Sequence, residues 1–143
     1  MLVRPYSAHV HPANQTFDLV VKAYPGGVSE KLCALPVDAY AHVPEIRALD
    51  WRRDSKRVGM VCFGVGITEC LGPAEALLKA GGEVRLVYSN RNAEQIILLD
   101  EARALLRAYP GSFRLRHCLS QPGEGRAALA ATKAGKGEGE KLT

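Results

Sequence analysis

The sequence predicts an α/β protein, with a short extended β segment followed by a parallel α/β domain. Three observations carry this expectation. An apolar run, Val58 to Phe63, meets a Gly-x-Gly turn (Gly64-Val65-Gly66) and then Thr68, which outlines a phosphate-cradling strand–loop–helix. Two more strand patterns follow, each after a helical pattern, and the order β-α-β-α-β demands a parallel sheet with crossover helices. Upstream, Phe17, Leu19 and Val21 recur at a period of two, as in a half-buried strand.

Taken in order, residues 1–24 read as two extended segments joined by a turn at His11-Pro12-Ala13-Asn14, a β-hairpin. Pro25-Gly26-Gly27 breaks the second segment. Ser29 is placed to cap a short helix, Glu30 to Leu35, which Pro36 ends. Residues 37–56 show no clean periodicity and read as loop with one short strand. Val58 to Phe63 is continuously apolar, as expected of a strand buried on both faces. The helix after it ends near Ala80 at Gly81-Gly82. Because Gly72-Pro73 falls within its first two turns, the regular helix is expected to start near Pro73, where proline is comfortable. Glu83 to Ser89 is the next strand and Asn90-Arg91-Asn92 a turn. Glu94 to Ala108 is a helix with one apolar and one charged side, stopped by Pro110-Gly111. Phe113 to Leu119 is the third strand of this domain. Three segments result: 1–56 extended, 57–122 parallel α/β, and a polar tail, 123–143, whose composition orders only against a partner surface.

Composition narrows the function classes. The chain has 143 residues, with 19 Lys+Arg against 15 Asp+Glu and a net charge of +4. Its one basic cluster, Arg52, Arg53, Lys56 and Arg57, is interrupted by Asp54 and lacks interleaved aromatics, so nucleic acid is not an expected partner. Cys33, Cys62, Cys70 and Cys118 contain no CxxC spacing, and no zinc or other metal site is expected. Cys62 and Cys118, in strand patterns, read as small buried hydrophobes. This usage suits a reducing, intracellular compartment. No apolar run approaches the ~20 residues that span a bilayer. Trp51 reads as core or seam packing and His117 as a packed strand histidine. His9, His11 and His42 have no legible role.

Several motifs in order carry a resemblance. Arg4-Pro5-Tyr6-Ser7, then Phe17 to Gly27 with Ser29, then Val58 to Leu71, then Asn90 to Pro122 resemble successive segments of the NADH–cytochrome b5 reductases of the ferredoxin–NADP reductase superfamily. The resemblance covers residues 3–122. It implies a ferredoxin-reductase-like fold, with a partial flavin-type β-barrel remnant before a short nucleotide-binding-type α/β domain. It also implies electron transfer from NADH through FAD to a haem protein. Arg4, Tyr6, Ser7, Gly26, Gly27 and Ser29 would then serve FAD: Arg4 on a phosphate, Tyr6 and Ser7 at the isoalloxazine, and the rest as a backbone nest for the pyrophosphate. Gly64, Gly66 and Thr68 would serve the nicotinamide dinucleotide.

The chain also departs from that family's pattern. Phe63 replaces the first loop glycine, Val65 a threonine and Glu69 a proline. Phe63 adds bulk at the loop, and Val65 removes a hydroxyl. Glu69 favours the helix dipole by ~0.3–1 kcal/mol but repels a dinucleotide phosphate at the same end. Barrel strands before Arg4 and the family's Cys-Gly-Pro segment have no counterpart here. These departures predict a pseudoenzyme with no catalytic residue. They predict an accessory subunit without bound cofactors, held by other protein subunits in a larger assembly; a mitochondrial respiratory complex is the expected host. The alternative is an FAD- and NADH-dependent reductase of the cytochrome b5 reductase type.

Overall fold

The computed structural model describes residues 4–11, 15–43, 54–121 and 140–142. The expectations on Pro12 to Asn14, Trp51, Arg52 and Arg53, and on most of the tail, lie outside these residues. The chain divides into two compact units, Met1–Trp51 and Arg52–Thr143.

In the first unit, β1 (Ala8–His11) and β2 (Thr16–Leu19) pair antiparallel, with Ala8 opposite Leu19 and His11 opposite Thr16. Tyr24-Pro25-Gly26-Gly27 then forms a tight turn. The Gly27 N–H donates to the Tyr24 carbonyl at 3.1 Å, and Gly26 takes φ +73°. Proline pre-sets the second turn position and glycine alone fits the third without strain. The helix that follows, α1, runs Val28–Cys33, and Gly27 rather than Ser29 is its N-cap. Ser29 lies inside α1, where its Oγ accepts the Tyr24 N–H at 3.0 Å. The expected Ser29 cap is thereby corrected: the hydroxyl ties the helix back to the turn. Among residues 37–43 there is no strand.

In the second unit, β3 (Arg57–Phe63), β4 (Glu83–Asn90) and β5 (Phe113–Leu119) form a parallel sheet in sequence order. Its register sets Cys62 beside Tyr88 and Tyr88 beside His117. Glu140–Leu142, β6, joins the β5 edge in parallel, so this part of the tail carries sheet structure that composition did not announce.

Helices α2 (Ile67–Lys79) and α3 (Leu99–Ala108) supply the crossovers. Their buried residues, Ile67, Cys70, Ala74, Leu78, Ala102 and Leu106, pack with Met60, Val84, Leu86, Tyr88, Phe113 and Leu115 into one core. Both helices therefore cover one sheet face. The expectation that β3 is buried on both faces is corrected: Val58, Met60 and Cys62 are buried or half-buried, whereas Arg57, Gly59, Val61 and Phe63 are exposed.

Two helix expectations change as well. α2 is unbroken from Ile67, with Pro73 inside it, not one turn late. Pro73 costs the bond its amide would make to the Glu69 carbonyl. Glu69 is exposed and Pro73 half-buried, so water can reach that side of the helix. The predicted helix from Glu94 is split. A 3-10 turn, Ala93–Gln95, is capped by Asn92, whose Oδ1 accepts the Gln95 N–H at 3.2 Å. Ile96 is then extended and Leu98 left-handed at φ +51° before α3 begins. The cause is Tyr88: its hydroxyl donates to the Ile97 carbonyl (3.2 Å) and accepts the Ile97 N–H (3.3 Å), so neither group is left for a helix.

Replacing Pro73 by Ala restores an i→i−4 donor in α2. The net gain expected is about 1–2 kcal/mol, less than the full cost of an interior proline because alanine also frees the unfolded chain. The urea midpoint should rise with an unchanged m-value; an unchanged or lower midpoint contradicts continuous helix from Ile67.

Candidate nucleotide site

The carboxyl end of β3 is where the expected nucleotide residues come together. Phe63 is still extended (φ −128°, ψ 126°), and Gly64 then turns the chain at φ +50°. That left-handed conformation is strained for any residue with a Cβ, and here a Cβ would meet nothing within 4 Å, so the approach to this backbone is open. Gly64–Gly66 is a 3-10 turn running directly into α2. Neither N-cap residue, Phe63 or Gly66, supplies a side-chain cap, and the amide end of this helical stretch lies at the end of the strand. Thr68 is held inward: its hydroxyl donates to the Val65 carbonyl at 2.9 Å. A Cβ on Gly66 would touch the Cys62 side chain at 3.8 Å, an ordinary contact.

Gly64, Gly66 and Thr68 are thus brought together in one turn. The substituted side chains act less directly than expected. Phe63 is 70 % exposed and shares the outer sheet face with Val61, while Val65 lends its carbonyl to Thr68. Glu69 is exposed in the first turn of α2 and remains the one residue there whose charge opposes a phosphate.

Two cysteines lie beneath the turn. Cys62 on β3 and Cys70 on α2 are both buried. The neighbouring Cys70 thiol and burial push the Cys62 thiol far above the ordinary thiol range, so Cys62 stays protonated. The pairing was not legible from sequence, where the eight-residue spacing is no motif. Tyr88, deeper on the same inner face, is pushed above its usual value of 10.0, chiefly by desolvation.

The expected flavin residues lie in the first unit. Arg4 and Tyr6 are exposed and Ser7 half-buried. The Gly26–Gly27–Ser29 turn is self-occupied: the Gly26 N–H donates to the Glu30 carboxylate at 2.8 Å, and Ser29 Oγ is committed to Tyr24. Glu30 occupies the Gly26 amide, so a phosphate at this turn would have to displace it. Among the described residues no group of His, Cys, Asp or Glu is arranged to hold a metal ion, and no helix is long and apolar enough to cross a membrane.

A parallel sheet whose first strand ends in a left-handed glycine turn at a helix start defines a dinucleotide-binding-type domain. Comparison with known proteins agrees. The family model for the oxidoreductase NAD-binding domain matches residues 60–132. NADH-cytochrome b5 reductase 1 of Ajellomyces capsulatus is 34% identical over 120 residues, covering 76% of this chain and 38% of that protein. The Arabidopsis thaliana protein named NADH–cytochrome b5 reductase 1 is 29% identical over 130 residues, covering 86% and 46%. Among solved structures, the cytochrome b5 reductase domain of Ulva prolifera nitrate reductase superposes with a TM-score of 0.58 at 21% identity, covering 89% of this chain and 71% of that one. Full-length CYP116B46 from Tepidiphilus thermophilus gives 0.55 at 17%, covering 96% and 21%. These structural likenesses speak to fold alone. The chain belongs to the oxidoreductase NAD-binding domain family, as a cytochrome b5 reductase-like member of the ferredoxin–NADP reductase superfamily. It spans about two fifths of the length of the curated relatives it matches.

Gly64→Ala places a Cβ in open space on a left-handed backbone, so its cost is conformational, about 1–2 kcal/mol. A thermal melt should show it. Tyr88 gives a pH signature. Because its pKa is raised on folding, its contribution is fully present below 10.0 and is lost as pH climbs through the higher folded value. Urea midpoints should therefore fall more steeply above pH 10 in the parent than in Tyr88→Phe, and equal slopes would remove the assignment.

Proposed function

We propose that this chain is the nicotinamide-nucleotide-handling portion of an NADH-dependent oxidoreductase of the cytochrome b5 reductase type, passing electrons through FAD to a haem protein. The observation that carries the reading is the Gly64 turn, a left-handed glycine at the carboxyl end of β3 that runs directly into α2. The curated relatives, named as NADH-cytochrome b5 reductases, support the same class. Bound NADH would supply the hydride. The chain's own part is positional: the Gly64–Gly66 amides hold a phosphate, Thr68 stiffens the turn through Val65, and Cys62 with Cys70 packs β3 against α2.

On the flavin side, the β1–β2 hairpin is read as part of a flavin-type barrel, with Arg4, Tyr6 and Ser7 on its approach. Glu30 must leave Gly26 before that turn accepts a phosphate. Glu30 is exposed, so its release costs little.

A second reading is favoured by Glu30 and Glu69, which put a carboxylate at each of the two amide sites: a pseudoenzyme, binding no cofactor, that serves as an accessory subunit of a larger assembly such as a mitochondrial respiratory complex. Titration with NADH separates the two. On the first reading NADH binds, and Glu69→Gln tightens it about two- to fivefold, the equivalent of ~0.3–1 kcal/mol at a helix start. Glu30→Gln should raise the flavin absorbance that the purified protein retains, with NADH-driven ferricyanide reduction rising in step. Protein that neither binds NADH nor gains affinity in Glu69→Gln belongs to the second reading.

A further inference from the structure

The carboxyl end of β4 adjoins the Gly64 turn. Phe63 and Ser89 are in register at the end of the β3–β4 ladder. The next residues, Gly64 and Asn90, therefore leave it side by side, and the chain runs on into Arg91. Two backbone bonds hold this exit. The Ser120 N–H donates to the Asn90 carbonyl at 3.1 Å, and the Gln121 N–H donates to the Arg91 carbonyl at 2.7 Å. Immediately downstream Asn92 caps its 3-10 turn. Arg91 is thus an exposed cation on backbone fixed from both sides, one residue past the strand.

That location has a chemical meaning in a dinucleotide-binding-type sheet. The ligand lies outside the carboxyl ends of the strands, and the ribose 2′ position is read roughly 20 residues after the glycine turn. The interval ends here at the Asn90–Arg91 step. An acid in this region accepts a hydrogen bond from a free 2′-hydroxyl, whereas an arginine accommodates a 2′-phosphate. This chain has an amide and then a guanidinium. Asn90 is buried, so Arg91 is the side chain of that step which a ligand reaches from solvent.

We propose that the Gly64 site takes NADPH as well as NADH, with Arg91 binding the 2′-phosphate. The inference rests on the nucleotide reading of the Gly64 turn and names the class of dinucleotide it receives. A phosphate monoester carries about −1.5 to −2 charges at neutral pH. The planar guanidinium fork meets two of its oxygens with parallel bonds. Glu94, exposed in the turn after Arg91, is the nearest acid along the chain and opposes the same phosphate, which limits the preference.

The test is calorimetric titration of the full chain with NADPH and NADH, and with 2′,5′-ADP and 5′-AMP as the matching fragments. At low salt NADPH should bind at least as tightly as NADH, and 2′,5′-ADP more tightly than 5′-AMP. Both preferences should shrink as salt is raised. Arg91→Ala should lower the ratio of NADPH to NADH affinity about tenfold, the size of a lost charge-assisted bond. Arg91→Lys, which keeps the charge without the fork, should lower it less, and Glu94→Gln should raise it. Both positions are exposed, and an unchanged circular dichroism melt verifies that each variant folds. NADH binding without NADPH binding would overturn the proposal, as would a ratio that Arg91→Ala leaves unmoved, or 2′,5′-ADP binding no better than 5′-AMP. Each of these leaves the Gly64 reading standing. Failure to bind any of the four ligands would set both aside.

Discussion

Two successive right-handed crossovers between adjacent parallel strands lay α2 and α3 on the same side of the sheet, and the second unit is organised by that asymmetry. On the helix side, β4 contributes Val84, Leu86 and Tyr88, all essentially without solvent exposure, between Met60 and Cys62 on β3 and Phe113, Leu115 and His117 on β5. On the other side the same strands carry charged residues and exposed apolar ones. A strand in such a sheet alternates, even where its composition is nearly all apolar. Val61 is the clearest case, since only its place in the pleat keeps it out of the core.

The same asymmetry positions the candidate site. Among the described residues β3 is the edge strand of the sheet, with no strand beyond it. Gly64 turns the chain there and α2 begins within three residues, which sets the helix's amide end at the mouth of the turn. The turn is held by groups that are all its own: Thr68 on Val65, with Cys62 and Cys70 beneath. On the far side of β4, Tyr88 fixes Ile97 and forces Leu98 into a left-handed start for α3. A single buried hydroxyl thus decides where the second crossover becomes helical.

Much of this was legible in the sequence, and the failures share a cause. The β-α-β-α-β order, the glycine stops and the Pro-Gly turn follow from local chemistry, and the structure has them at or within a residue or two of their expected places. Composition does not carry tertiary information. It read β3 as doubly buried because nothing in Val58 to Phe63 says on which side the helices fall. It read one helix from Glu94 because Tyr88, nine residues before Ile97, supplies the competing bonds. It delayed α2 to Pro73 because proline's cost is local, whereas the gain from burying Ile67 and Cys70 in the core is not. At the site, Gly64, Gly66 and Thr68 were legible as a motif. The occupied state of Gly26 was not, because a glutamate three residues after an N-cap looks like ordinary helix chemistry until its partner is known.

Glu30 and Glu69 bear on function in different ways for that reason. Glu30 already accepts the Gly26 amide, so an incoming phosphate must displace it, and the barrier is one exposed hydrogen bond. Glu69 is exposed in the first turn of α2. Its effect is a field at the first turn of α2, screened by water at an exposed position. A displaceable carboxylate and a screened one both weaken anion binding without abolishing it. Gly64 shares its left-handed backbone and open space with Gly26 and Gly81, and what sets it apart is its place at the carboxyl end of β3, where α2 begins. That place, and not the openness, is what the proposed nucleotide reading rests on.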